Sequence, residues 1–434
     1  MENRKIRIVW ICEFSNKEIR EKLHFEKFSL FLLIRKLLNK KNEVVDYCEW
    51  NTKAIKEFEK IKNIELHIIS HHLYLKRKIE CFVMNNIHYH FFKPEGNNLF
   101  STIKNKIGIG TKTNYTINSK RINEIIEKIQ PDIVHLIGAE NPHYSSSVLS
   151  LDNKYPLLVS LQTLMSDPNF FKNYPISREL YDYRCEIEKK VLQKADYICT
   201  IGEIFQEIIL KDISPNAKFL RLKLAAGEDI TDTTLIDKKY DFVYFAKDIN
   251  KASDYAIEAF AIAKKKYKNI TLNIVGGYSS SFKETLDVRL KQLGIEDSVT
   301  FSGKLPLHED VLKEIQRSRF ALLPLKIDLV SGTIREAMAC KLPVITTITP
   351  GTPKLNEKRE SVLLSPIGNH QAMADNMIKL LEDKNLAKIL MDNASITIGE
   401  RYNNQEAMND WVKAYKAIYD YKCQNNSLPT ELLL

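Results

Sequence analysis

Residues 322–347 read LLPLKIDLVSGTIREAMACKLPVITT. An apolar run ends at Leu325 and a loop follows. Ser331-Gly332-Thr333 then opens a helical pattern through Ala339, and Pro343-Val344-Ile345 starts a second apolar run. Buried strand, loop, helix and buried strand in that order are the repeating unit of a parallel sheet covered by helices.

The same alternation continues outward. Downstream, a strand is expected at Ser361–Leu364, with helices at Gln371–Leu381, Leu386–Asn393 and Glu406–Tyr421. Upstream in the same half, strands are expected at Tyr240–Phe245, Thr271–Val275 and Val299–Ser302, with helices at Ser253–Lys266, Phe282–Leu293 and Glu309–Gln316. Leu224–Lys239 is poor in large apolar residues and reads as a linker. Before it lies a second series, with strands at Ile6–Cys12, Glu43–Cys48, Ile64–Ile69, Ile87–Phe92, Asp132–Ile137, Leu157–Leu161 and Tyr197–Thr200. Helices are expected there at Lys17–Leu38, Lys120–Lys128 and Glu179–Lys194, the first opened by a Ser15-Asn16-Lys17-Glu18 capping box. The fold class is therefore α/β, with two Rossmann-like doubly wound parallel-sheet domains facing a cleft. The expected spans are 1–225 for the first domain, 226–405 for the second, and 406–434 for a C-terminal helix returning to the first domain plus a frayed tail. In such sheets ligands bind beyond the carboxyl ends of the strands.

The 434 residues are 44% hydrophobic and 27% charged, which excludes global disorder and supplies more than one core. No long uncharged apolar window predicts a membrane span, and the first residues lack a signal-peptide pattern. Seven scattered cysteines with no C-x-x-C pair suit a reducing cytoplasm. The net charge is +9: residues 1–230 carry 36 basic and 29 acidic groups, leaving +2 for the remainder. A basic first half suits an anionic partner or a membrane surface, although Lys-rich composition alone also produces it. Only 14 glycines occur, nine of them after residue 226.

A helix start rich in Ser, Gly and Thr offers free N–H groups to a diphosphate. Asp328 in the loop and Glu336 on the helix can face one ligand, and carboxylates accept paired hydrogen bonds from sugar hydroxyls. The competing reading is structural: Thr333-x-x-Glu336 also fits a capping box, and Asp328 also fits a solvated loop charge. Glu336-Ala337-Met338-Ala339 followed by Pro343-Val344-Ile345 resembles the retaining, nucleotide-sugar-dependent glycosyltransferases of family 4, which have the GT-B architecture. Their Glu-x7-Glu motif is here Asp328 to Glu336, and Lys341 stands where glycine usually follows the helix. Ile274-Val275-Gly276-Gly277, Val299-Thr300-Phe301-Ser302-Gly303 and Pro350-Gly351-Thr352-Pro353 are similar to further motifs of that family in the same order.

The resemblance implies a metal-independent hexosyl transfer from a nucleoside diphosphate sugar to a glycan or lipid-linked acceptor in surface polysaccharide biosynthesis. It implies Lys247 and Lys251 on the leaving diphosphate, Asp328 on the transferred sugar and Glu336 on the ribose. Gly276, Gly303, Lys304, Leu305, Ser331, Gly332 and Thr333 complete the implied donor site. No permanently bound cofactor and no nucleic-acid partner are expected. The protein is expected in the cytoplasm, with peripheral contact to the inner membrane face through the basic first domain.

In that domain Gln130–Leu136 (QPDIVHL) is similar to the family's P-D-V-V-H pattern, and Glu188 with Ala195-Asp196 to its E-x6-A-D element. Ser15, Asn16, His135 and Gln162 are the acceptor-side candidates. Gln162 stands where many members carry histidine, and Ser15-Asn16 where a Gly-rich loop is common. His135 reads equally as a satisfied buried histidine. The pairs His71-His72 and His88-x-His90 are read as strand residues, since no carboxylate or cysteine at ligand spacing completes a metal set. Two alternatives share the architecture: an epimerase acting on nucleotide sugars, and a catalytically degenerate sugar-nucleotide-binding partner protein.

Overall fold

A computed structural model of the chain describes residues 4–26, 46–72, 74–95, 115–167, 177–200, 203–223, 236–245, 252–326, 330–424 and 432–433. The chain divides into two units, Met1–Ala225 together with Asn404–Leu434, and Ala226–Asn403.

The first unit is built on β1 (Ile6–Ile11), an apolar strand buried from Ile8 onward. It pairs in parallel with β2 (Ile64–His71) and β5 (Ile133–Ile137), so the chain reverses its direction of progress across the sheet at β1. The strands β3 (Ile79–Met84), β4 (Ile87–Phe92), β6 (Leu157–Ser160) and β7 (Tyr197–Cys199) complete a seven-stranded sheet of order β3-β4-β2-β1-β5-β6-β7. Successive residues point to opposite faces. Ile8, Trp10, Leu66 and Ile68 pack with Phe58 of the helix Glu49–Phe58 and with Trp411 and Tyr415 of the helix Asn404–Gln424. Val9, Ile11, Ile69 and Val134 pack on the other face, against Ile122 and Ile126 of the helix Thr116–Ile129 and Val191 of the helix Arg178–Lys194.

Several expectations change here. β3 was not expected and runs antiparallel to β4, so this sheet is parallel except at one edge. Its hairpin turns at Asn85 and Asn86, both at positive φ (50° and 66°), the conformation a two-residue turn between twisted strands needs. The strand expected at Glu43–Cys48 is not one in its described part: Tyr47 forms an isolated bridge with Ser15, and Cys48 caps the next helix. The first helix spans Lys17–Lys22, and its N-cap is Asn16 rather than Ser15: Asn16 Oδ1 accepts the Ile19 amide at 2.9 Å. Residues 27–38 of the expected helix lie outside the described residues.

The helix Asn404–Gln424 is tied to the sheet by a buried polar chain. Trp10 Nε1 donates to the Tyr415 hydroxyl at 2.8 Å, Tyr415 meets His135 Nδ1 at 2.6 Å, and His135 Nε2 meets Ser160 Oγ at 2.7 Å. Indole can only donate, so the Tyr415 oxygen accepts from it and its own proton points to Nδ1; the imidazole then donates from Nε2. Burial holds His135 neutral, its pKa pushed down to about 3.

The second unit is a six-stranded parallel sheet of β8 (Tyr240–Phe245), β9 (Leu272–Val275), β10 (Val299–Gly303), β11 (Ser318–Leu322), β12 (Val344–Thr347) and β13 (Leu363–Ser365), in the order β10-β9-β8-β11-β12-β13. Its reversal lies between β8 and β11, which are neighbours. The helices Ser253–Lys266 and His370–Glu382 share one apolar cluster with this sheet, and Gly332–Ala339 and Lys384–Arg401 share the other. Lys341, the residue in the usual glycine place, takes φ 53°. Its amide reaches Met338 O at 3.0 Å and the Leu342 amide reaches Ala337 O at 2.9 Å. That is a Schellman helix end, whose left-handed residue is ordinarily glycine. Among the described residues no helix is long and apolar enough to cross a membrane.

Two outcomes follow. Tyr415→Phe strands the Trp10 and His135 nitrogens and should cost about 1–3 kcal/mol for each orphaned group, read as a lower urea midpoint for the first unit. Coincident midpoints for mutant and parent would show the chain carries no weight. Lys341→Gly relieves a left-handed non-glycine residue and should stabilise the second unit by roughly 1 kcal/mol, visible as a raised Tm.

Candidate functional site

In the second unit the ends of neighbouring strands gather the described donor-side candidates. Gly276 follows β9 and takes φ 128°; its amide donates to Gly303 O at 2.9 Å, tying the ends of β9 and β10 together. Lys304 is exposed and lays its stem beside Gly277, where a Cβ would sit 3.4 Å from Lys304 Cδ. Leu305 packs against the cluster containing Ile334 and Ala337.

Ser331 is the N-cap of the helix Gly332–Ala339, but its side chain makes no capping bond; its hydroxyl meets Thr333 Oγ1 at 2.7 Å. The amides of Gly332 and Thr333 thus stand in the first turn, where no intrahelical acceptor exists. The Glu336 carboxylate makes no hydrogen bond to the helix start among the described residues, so the capping-box reading does not hold. Its neighbour is His308 Nε2 at 3.8 Å, which is buried without a hydrogen bond. His308 opens the helix His308–Ile315 and carried no motif signal. Lys326, just beyond β11, pairs with Asp254 at 3.0 Å and lies over the Tyr255 ring. Lys247, Lys251 and Asp328 lie outside the described residues. Phe245 and Ala252 bracket the first two and Lys326 and Val330 the third, in the segments that leave β8 and β11, the two strands at the reversal.

In the first unit the acceptor-side candidates are largely occupied. Both nitrogens of His135 are engaged in the core chain, so it is a packing residue rather than a ligand contact. Ser15 is fully buried and its hydroxyl accepts from Arg20 at 3.1 Å. Asn16 caps a helix, and Gln162 sits half-buried just past β6. The Glu188 carboxylate accepts the amides of Met165 and Ser166, both at 2.9 Å, and anchors the loop after β6. Burial raises its pKa to about 7 in spite of those bonds.

A different group converges at the reversal of this sheet. Glu13 follows β1, His71 ends β2, and Glu140 and His143 follow β5. Glu13 Oε1 is 3.7 Å from His71 Nε2, and Glu13 Oε2 is 3.9 Å from His143 Nε2. The two imidazoles meet edge to face, with centroids 4.5 Å apart. Burial and repulsion from Glu140 raise Glu13 to about 7, against the opposing pull of Arg184. Burial lowers His71 well below its ordinary value and His143 to about 4, so both rings are neutral. Gly138, at φ 90°, makes room: a Cβ there would lie 2.5 Å from the Tyr144 hydroxyl and 2.9 Å from the Glu140 carboxylate. His88 and His90 lie in β4 beside His67, with Glu65 Oε1 2.9 Å from His67 Nε2. One histidine of each pair, His71 or His88, therefore lies in a group with a carboxylate, Glu13 or Glu65, brought in by strand pairing rather than by local spacing.

Comparison with known proteins assigns these units. Residues 61–201 match the family model described as Glycosyl transferase 4-like, and residues 228–396 match Glycosyl transferases group 1. An uncharacterized glycosyltransferase of Haemophilus influenzae is 26% identical over 318 residues, 71% of this chain and 82% of that protein. Sucrose-phosphate synthase from Thermosynechococcus elongatus aligns over 96% of this chain and 99% of its own at TM-score 0.63 and 14% identity. HepE from Anabaena, solved in complex with UDP, aligns over 95% and 100% at TM-score 0.60 and 12% identity. Two transferase models matched in series along two parallel-sheet units make this chain a member of the glycosyltransferases with the GT-B fold.

Proposed function

We propose that the chain moves a sugar from a nucleoside diphosphate donor to a glycan or lipid-linked acceptor with retention of anomeric configuration, in surface polysaccharide biosynthesis. The observation that carries this reading is the Ser331–Thr333 helix start with the Glu336 carboxylate uncommitted to it, beside the reversal of the second sheet. Unspent amides and a positive helix end suit a diphosphate, and a carboxylate free of capping suits vicinal ribose hydroxyls. Lys247 and Lys251 stabilise the departing diphosphate, and Asp328 holds the transferred sugar, so the diphosphate itself requires no metal. Gly276, Gly303, Lys304 and Leu305 flank the nucleobase. HepE was solved with UDP, which makes uridine the first base to test. The basic first half of the chain supports contact with an anionic membrane surface.

A thermal-shift series with UDP-, GDP-, TDP- and ADP-sugars should show one base raising Tm by mass action. With that donor, Glu336→Gln should lower kcat/KM by about 10–100-fold, the worth of one or two charge-assisted hydrogen bonds. Its unfolding free energy without donor should stay within about 0.5 kcal/mol of the parent, the range for substitutions away from structural contacts. Equal turnover in both proteins would reject the ribose role. Product made without any acceptor would favour an epimerase, and donor binding without turnover a degenerate partner protein. Proton NMR of the new linkage reads the anomeric outcome directly.

A further inference from the structure

We propose that Glu13, His71 and His143 form a binding site for one divalent transition-metal ion, Zn2+ in the first instance, at the strand ends of the first unit's sheet. The inference stands apart from the donor reading, which concerns the other unit.

The ligand-capable atoms of the three residues all lie within 4.8 Å of one another. Metal–ligand bonds of about 2.0–2.1 Å in tetrahedral geometry place neighbouring ligand atoms roughly 3.3 Å apart. The distances of 3.7 and 3.9 Å from Glu13 to the two imidazoles are a little wider than that. They are also too long for hydrogen bonds, so the three groups converge without satisfying one another. His71 is more than nine-tenths buried, and its Nδ1 has no hydrogen-bond partner. His143 Nε2 is likewise buried without one. Leaving His143 Nε2 buried and unpaired is costly, and an ion coordinated there removes that cost; at His71 the ligand nitrogen is Nε2, the one facing Glu13.

The second histidine group shows the contrast. In Glu65, His67 and His88, the central His67 already spends both nitrogens, on Glu65 at 2.9 Å and on His90 at 3.0 Å. Its polar atoms are satisfied as it stands.

Position also favours Glu13, His71 and His143. Glu13 follows β1, His71 ends β2 and His143 lies on the short helix Pro142–Ser145 after β5, so they sit at the reversal of a doubly wound sheet, where such folds bind ligands. Two nitrogens and one carboxylate oxygen leave a fourth position open to water or to an oxygen of a bound molecule. Glu140, brought close by the absence of a side chain at Gly138, adds a second carboxyl group nearby, its Oε2 buried without a hydrogen bond.

The test uses full-length protein stripped with a chelator and titrated with Co2+, whose visible d–d absorption reports protein ligands, then with Zn2+ in competition. One equivalent of Co2+ should produce the band, and Zn2+ should abolish it. Glu13→Gln and His143→Ala should each weaken binding by more than the roughly 10–100-fold that loss of an outer-shell partner costs. The double variant His67→Ala/His88→Ala should bind as the parent does. Glu13→Gln keeps the shape of the site, so an unchanged circular dichroism spectrum separates lost ligation from lost folding. Absence of a band in the parent overturns the proposal. So does a band that survives Glu13→Gln and His143→Ala but vanishes in the double variant.

Discussion

A phenol oxygen in the middle of an apolar core can be tolerated only if its proton and its lone pair are both spoken for. Tyr415 meets that condition by taking the indole proton of Trp10 and passing its own to His135, which passes one to Ser160. The direction of every proton is fixed by the indole, which cannot accept. Three strands of the first sheet and a helix from far along the sequence are thereby locked in one register. The rings around the chain add edge-to-face contacts, Trp10 with Phe58 and with Trp411. The strand ends beyond Trp10, His135 and Ser160 carry the polar groups of the first unit, so their geometry inherits this lock.

The two sheets obey one rule and carry different chemistry. Each has a reversal of strand order, at β1 in the first sheet and between β8 and β11 in the second, the position where such folds bind ligands. In the second unit the helix start at Ser331–Thr333 brings hydroxyl groups and the Glu336 carboxylate, a set suited to an anionic, hydroxyl-rich ligand. In the first the residues at the reversal bring imidazoles and carboxylates packed into low dielectric, a set suited to a cation.

Much of this was legible in the sequence because parallel strands buried on both faces appear as short, mainly apolar runs. Ile6–Ile11, Ile133–Ile137 and Val344–Thr347 are of that kind. The β3 edge strand escaped notice because it alternates, with Val83 facing outward, and because its turn is Asn-Asn rather than a glycine pair. The Asn85-Asn86 dipeptide was the available signal. At Ser15-Asn16 the pattern was right and the register off by one, since either side chain can cap and only the backbone decides. The candidates from Asp328 to Glu336 could be named from sequence because they lie in one continuous stretch. The Glu13–His71–His143 cluster was not, because its members are neighbours only through the pairing of β1 with β2 and β5. His135 could be read either way from its motif, and only the partner at Tyr415 settled it.

The return of the helix Asn404–Gln424 also sets an order of events during synthesis. The face of the first sheet that bears Trp10, Leu66 and Ile68 is completed by Trp411 and Tyr415, which emerge from the ribosome only after the whole of Ala226–Asn403. Until then the nascent first unit carries an open apolar face, whereas every strand and helix of the second unit is already in hand. The later half of the chain is therefore free to reach its final form before the earlier half can, the reverse of the order in which domains usually mature during translation.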